Sequence, residues 1–290
     1  ILILEEPMTL VKDIVVPGGV KKLKGGAVKA YLINHNADNP LATFRFKHAG
    51  LKMSSAEKEF EIEKNKFNAG TFIIKTDENP DDLKTTLDAA GKTFGFTAWS
   101  VDTLPDVPMH PVSAPRVALM HTWQNTQNEG WVRIALDELQ IPYEYISVHE
   151  VRDNENLRDK YDVILFGPSS SSALSIVEGV TGDKPMPWKK TELTPNLGCQ
   201  DSTDDMRGGL ELEGILHLRD FIKAGGVFIT LTNSTSLPIH FGLAPNVSIK
   251  ETEELWARGG VFQAEIADSS SPIVYLSLIH ISEPTRLRRI

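Results

Sequence analysis

One stretch constrains this chain more than any other: residues 208–236, GGLELEGILHLRDFIKAGGVFITLTNSTS. Leu212, Ile215, Leu216, Leu218, Phe221 and Ile222 recur at helical spacings, which lays a broad apolar face along one helix. Gly225 and Gly226 follow at once, where a helix end calls for a residue that accepts positive φ. Residues 227–231, VFITL, are then a short apolar run with β-branched members, the pattern of a strand covered on both faces. Helix, glycine turn and buried strand together make half of an α/β repeat. The turn after such a strand is where many α/β enzymes display a nucleophile. Here that elbow reads Thr232, Asn233, Ser234, with no cysteine, so the scaffold looks enzyme-like while the elbow looks degenerate.

The preceding chain repeats the alternation. Strands are expected over 116–121, 143–148 and 161–166, and helices over 129–139 and 151–158, with Trp131, Ile134, Ala135 and Leu139 in register on the first helix. Alternating strands and helices predict a doubly wound, mostly parallel sheet. A polar excursion, 169–207, interrupts the pattern, and its length suggests a lid, a binding loop or disorder. Upstream, residues 104–115 hold four prolines and read as a stiff linker. Residues 1–103 read as a smaller α/β region. Strands are expected within 2–16 and over 27–33, 60–64, 71–75 and 94–101, with helices over 41–48 and 77–91. Asn68-Ala69-Gly70 is the turn expected between two of those strands.

Composition sets bounds. A chain of 290 residues suggests about two domains. The net charge of −9 argues against nucleic acid or an anionic membrane surface as a partner. No apolar run approaches the roughly 20 residues that span a bilayer. The single Cys199 excludes an intrachain disulfide. The opening ILILEEPMTL has neither an initiator Met nor a basic leader segment, and suggests a fragment that starts inside a larger protein. Residues 276–286, LSLIHISEPTR, resemble the translation of a sequencing adapter. Residues 276–290 are therefore expected to be an adapter-derived artefact, with 266–275 the start of a truncated segment; the alternative is a basic interaction tail.

Residues 116–265 resemble a class I glutamine amidotransferase-like domain, of flavodoxin-like architecture. The resemblance is carried by PRVALMHTW at 115–123, EGWVRIALDEL at 129–139, YDVILFGP at 161–168 and the 208–231 stretch. Preceded by AYLINHNADNPLATFRF at 30–46 and FNAGTFIIK at 67–75, it is similar to the C-terminal part of bacterial zinc carboxypeptidases of the carboxypeptidase A-like family. That resemblance implies an N-terminal peptidase domain carrying the zinc, proteolysis at peptide C-termini by the parent protein, and a secreted or periplasmic location.

Neither chemistry is complete in these residues. An amidotransferase activates an elbow cysteine with a histidine held by a carboxylate. Between residues 240 and 275 the only histidine is His240, followed by Phe241 and Gly242 rather than a glutamate. Cys199 lies in the polar excursion and reads as incidental. Outside the adapter-like tail, where His280 precedes Glu283, no histidine begins a His-x-x-Glu pair, whereas a catalytic zinc needs three protein ligands. The expectation is therefore no catalytic residue, metal ligand or cofactor here, and a non-catalytic accessory region whose partner is the peptidase domain. A ligand crevice, suited to a peptide terminus or sugar, is expected at the strand ends around Trp123, Ser169, Ser170 and Ser234. The alternative is a free-standing amidotransferase-like hydrolase or small-ligand module using Thr232 or Ser234. A strained backbone at the elbow with His240 in hydrogen-bond reach would favour that alternative.

Overall fold

The computed structural model describes residues 18–23, 25–36, 39–249 and 271. The strand expected within 2–16, the end of the amidotransferase-like segment beyond 249, all but Ser271 of the segment at 266–275 and the adapter-like tail lie outside the described residues. The chain is α/β and forms two units that divide between Ser113 and Ala114.

The first unit is built on a six-stranded sheet, ordered β1-β7-β2-β6-β3-β8. Its strands are β1 (Gly19–Lys22), β2 (Ala30–Ile33), β3 (Met53–Ala56), β6 (Phe72–Lys75), β7 (Thr97–Val101) and β8 (Met109–Val112). Only the β1–β7 pair is parallel. The central strands are apolar on both sides because both faces are covered. Tyr31, Ile33, Phe72 and Ile74 pack beneath α1 (Asn39–Lys47) and α2 (Leu83–Phe94), alongside Phe44 and Leu87. Ala30, Leu32 and Ile73 face the other way, toward a hairpin of β4 (Phe60–Ile62) and β5 (Asn65–Phe67).

Three details differ from the pattern in the sequence. The run 60–64 ends in a tight turn at Glu63 and Lys64, both at positive φ, and β4 pairs with β5 alone. Asn68-Ala69-Gly70 thus leads from β5 into the main sheet. Gly91 does not end α2. A side chain there would collide with the Gly19 backbone, since a Cβ would lie 2.5 Å from Gly19 N, and the cap is Gly95. The proline-rich 104–115 is only in part a connector, since Met109–Val112 forms the β8 edge of this sheet against β3. Pro111 is tolerated there because an edge strand has one unpaired side.

The second unit holds a four-stranded, entirely parallel sheet, ordered β10-β9-β11-β12. The strands are β9 (Val117–His121), β10 (Tyr143–Ser147), β11 (Val163–Phe166) and β12 (Val227–Thr230). The chain passes from β9 outward to β10, then back across β9 to β11 and β12. Right-handed crossovers then place α3 (Gln127–Glu138) on one face, and α4 (Val148–Asp153), α5 (Leu157–Lys160) and α7 (Glu211–Lys223) on the other. The core on the α7 side gathers Met120, Ile146, Ile164, Phe166, Leu218 and Phe221.

Burial corrects three expectations. Val227 and Ile229 of the β12 edge are 52% and 41% exposed, so this strand is covered on one face only. Leu212 and Leu216 also lie outside the buried stripe of α7, which runs through Gly214, Ile215, Leu218 and Phe221. On α3 the expected inward face is reversed: Trp131 is 68% exposed and Ile134 is exposed, while Glu129 is buried. Gly225, at φ +85, closes α7 as its position in the sequence predicts.

The excursion 169–207 is folded. It begins with α6 (Ala173–Glu178), capped by Ser172, whose Oγ accepts from Ser175 N–H. The excursion is then pinched shut where Gly208 N–H donates to the Val180 carbonyl at 2.8 Å. Trp188 and Thr203 exchange backbone hydrogen bonds across the loop. The Asp205 carboxylate gathers the Met186 and Arg207 backbone N–H groups and the Arg207 guanidinium.

Candidate functional site

In a parallel sheet all strands end on the same edge, and ligands of open α/β folds bind there. Several clefts open along that edge of the second unit, and two of them gather the features that bear on chemistry. The first is the elbow. Beyond β12, Leu231 is still extended, and Thr232 then turns to φ +55 before a 3₁₀ turn, Thr232–Thr235, leads into α8 (Ser236–His240). A β-branched residue in the left-handed region stores about 1–3 kcal/mol and persists only where its surroundings enforce it. A cleft of about 830 Å³ opens beside it, lined by Ser170, Ser171, Thr232, Asn233, Thr235 and His240.

Among the described residues the elbow lacks the groups that would use this strain. Ser234 is fully buried, its Oγ accepting from Leu231 N–H at 3.0 Å and donating to the Leu231 carbonyl at 2.7 Å. It staples the turn and faces no cleft. Among the described residues, no hydrogen bond joins His240 to Thr232, Asn233 or Ser234; the His240 ring packs against Phe241. Of the two conditions for a working nucleophile, the strained backbone is present, and no base stands beside it among the described residues.

The second cleft, about 350 Å³, lies where the excursion folds over the ends of β9 and β10. Its walls include His121, Trp123, Arg133, Tyr145, Trp188 and Asp201, with Cys199 at the same wall. His121 is the last residue of β9 and is 3% exposed. Its ring stacks on Tyr145 at 4.1 Å between centroids. Nε2 meets Asp201 Oδ2 at 2.8 Å, and Nδ1 meets the Thr122 carbonyl at 3.0 Å. Both ring nitrogens thus face oxygen acceptors, an arrangement that only the imidazolium satisfies fully. Burial outweighs those contacts and pushes the ring's pKa below its ordinary value. His121 pins the excursion to the sheet through Asp201. With both nitrogens engaged, it has no free position from which to activate the exposed Cys199 thiol.

Behind His121 lies a second polar pair. Tyr145 donates its hydroxyl to Glu129 Oε2 at 2.8 Å. The other Glu129 oxygen is buried without a partner among the described residues, and desolvation raises this carboxyl's pKa. Gly167 makes room for this helix end, since a Cβ there would sit 3.2 Å from the Glu129 backbone. Arg133, one turn along α3, lays its guanidinium over the Tyr145 ring, 4.8 Å from the centroid. Trp123 completes the wall, with Nε1–H donating to His149 Nδ1 at 3.1 Å. His149 Nε2–H in turn donates to the Gly208 carbonyl at the neck of the excursion.

The crevice residues expected from sequence therefore separate. Trp123 and Ser170 line clefts. Trp123 is 9% exposed and tied through its indole N–H, so its ring is a fixed wall rather than an open platform. Ser169 is buried and holds a turn by accepting from Ser171 N–H, and Ser234 is the staple already described. Neither belongs to the crevice, because each hydroxyl is consumed by backbone groups. His121, Arg133, Trp188 and Asp201 were missed. His121 and Asp201 stand 80 positions apart in the chain, and no local pattern joins them. Among the described residues there is no group of three His, Cys, Asp or Glu side chains placed to hold a metal ion. No helix of the described residues is long and apolar enough to cross a membrane. The chain matches no family model, curated protein or solved structure.

Proposed function

We propose that the second unit is a non-hydrolytic ligand-binding module, the accessory region of a zinc carboxypeptidase whose catalytic domain precedes it in a longer, secreted or periplasmic protein. The carboxypeptidase context rests on the sequence resemblance alone. The ligand-binding reading rests on one observation: the sheet's carboxyl edge has the enzyme-like strained elbow at Thr232 with no base beside it among the described residues, while a built pocket lies at His121 and Asp201. A scaffold that retains concave sites after losing a nucleophile can still present, hold or sense a small molecule. The test is hydrolysis of glutamine, simple esters and peptide amides by the whole chain. The expected result is no turnover above buffer. Turnover abolished by Thr232→Ala would overturn the reading in favour of an unusual hydroxyl nucleophile, the alternative that the strained elbow favours.

A further inference from the structure

The arginines of this chain are sorted by their partners. Among the described residues Arg116, Arg152, Arg158, Arg207 and Arg219 each form an ion pair, and Arg45 donates to the His48 and Ala49 carbonyls. Arg133 does neither: its guanidinium faces the Tyr143 and Tyr145 hydroxyls, no described carboxylate lies within ion-pair distance, and its Nε is buried without a partner. It sits over the Tyr145 ring on the wall of the 350 Å³ pocket. Glu129 acts on it only from a distance, and that carboxyl's own pKa is raised by burial. A half-buried guanidinium with no carboxylate in ion-pair distance, aligned on an aromatic ring, keeps donors beyond those that face the two tyrosine hydroxyls for a planar acceptor.

We infer that this pocket binds a small carboxylate-bearing ligand, with Arg133 holding the carboxylate. The proposal rests on the ligand-binding reading above and names the chemistry of that site. The other walls define the rest of the ligand. Trp188, partly exposed in the excursion, and the edge of Trp123 offer flat apolar surface. Gln124, Asn125, Asn196 and Gln200 offer amide donors and acceptors. A pocket of this size takes one amino-acid residue or one sugar ring. A peptide C-terminus and an acidic sugar share this chemistry, a carboxylate beside a flat apolar face with polar substituents.

The experiment is titration of the whole chain at neutral pH, followed by tryptophan fluorescence and calorimetry, with four matched probes and inorganic phosphate. The probes are N-acetylphenylalanine and its amide, and glucuronate and glucose. The expected result is that at least one carboxylate binds about tenfold or more tighter than its neutral partner, a difference of about 1.4 kcal/mol. The tighter of the two carboxylates identifies the source as peptide or sugar. Arg133→Gln is expected to erase that preference, and Trp188→Ala to weaken acid and neutral probe alike. Circular dichroism checks that each variant folds, and Arg133→Lys, which keeps the charge, should retain part of the preference. Equal binding of acid and neutral probes overturns the carboxylate assignment and leaves the ligand-binding reading intact, as does binding of phosphate alone. Failure of every probe to bind the folded chain overturns both.

Discussion

The two clefts on the carboxyl edge of the parallel sheet invert each other. At the elbow the backbone is special and the side chains are ordinary: Thr232 is held at φ +55, yet the one buried hydroxyl, Ser234, is spent on the Leu231 backbone. At the His121 pocket the backbone of β9 is regular and the side chains are special. A buried histidine, a buried glutamate and an unpaired arginine converge on one aromatic ring. Strain by itself is therefore a poor pointer to chemistry in this molecule.

The comparison can be broken by mutation. The largest expected effect is at the elbow staple. Ser234→Ala removes the hydroxyl that bridges the Leu231 N–H and carbonyl, while the N–H keeps its bond to the Phe166 carbonyl, and the two lost hydrogen bonds should cost about 1–2 kcal/mol in urea unfolding. Ligand binding at the His121 pocket should stay within about twofold; a folded Ser234→Ala protein that no longer binds would show that the two clefts are one site. Thr232→Gly should move stability the other way, by about 1 kcal/mol, because glycine adopts the left-handed conformation without a Cβ penalty. A loss of stability on that change would mean that the threonine side chain contributes packing that outweighs its strain.

Acid distinguishes the pocket from the elbow. The folded His121 takes up its proton at a lower pH than an unfolded histidine, so the unfolded chain protonates first. Its contribution to stability should therefore fall away as pH drops below about 6.5. Glu129 runs in the opposite sense. With its folded pKa raised, the cost of ionising it is present at neutral pH and is relieved as pH falls toward the ordinary carboxylate range. Glu129→Gln should consequently stabilise the protein at pH 7, by about 1 kcal/mol, and lose that advantage in acid. Thermal unfolding across pH 4–8 reads both, and a His121→Gln profile identical to the parent's would remove His121 from the account. The smallest effect on stability belongs to Trp188→Ala, within about 0.5 kcal/mol because the ring is partly exposed. Its effect should appear in binding alone.

How much of this was legible in the sequence depends on whether the signal was local. The helix, the Gly225 cap and the strand of residues 208–231 are set by neighbouring residues, and all three form. The parallel alternation was likewise readable, because each crossover carries its own strand and helix pattern. The orientation of α3 was not. Trp131 and Ile134 suggested the inward face, but Glu129 and Arg133, one turn apart, are the pair turned toward Tyr145. Here the helix borders a polar cleft and turns charge inward, the reverse of a helix that only fills a core. The Asp201 contact to His121 was also out of reach, since it depends on how a long loop folds back. The helix expected over 77–91 runs on past Gly91: a close backbone approach leaves the same trace in sequence as a cap.

The pinched neck of the excursion has a consequence for how such a chain can diversify. Residues 180 and 208 are hydrogen-bonded, so the loop leaves and rejoins the sheet's edge at a single point. Closing a flexible loop grows more costly only with the logarithm of its length, about 0.6 kcal/mol for each doubling. The segment that supplies Trp188, Cys199 and Asp201 can thus be lengthened, shortened or replaced while the strands beneath it keep their register. Half of the pocket is an exchangeable cassette, and the other half, on β9, β10 and α3, is fixed. Selection for a new ligand could act on the cassette alone and leave the folding of the sheet untouched.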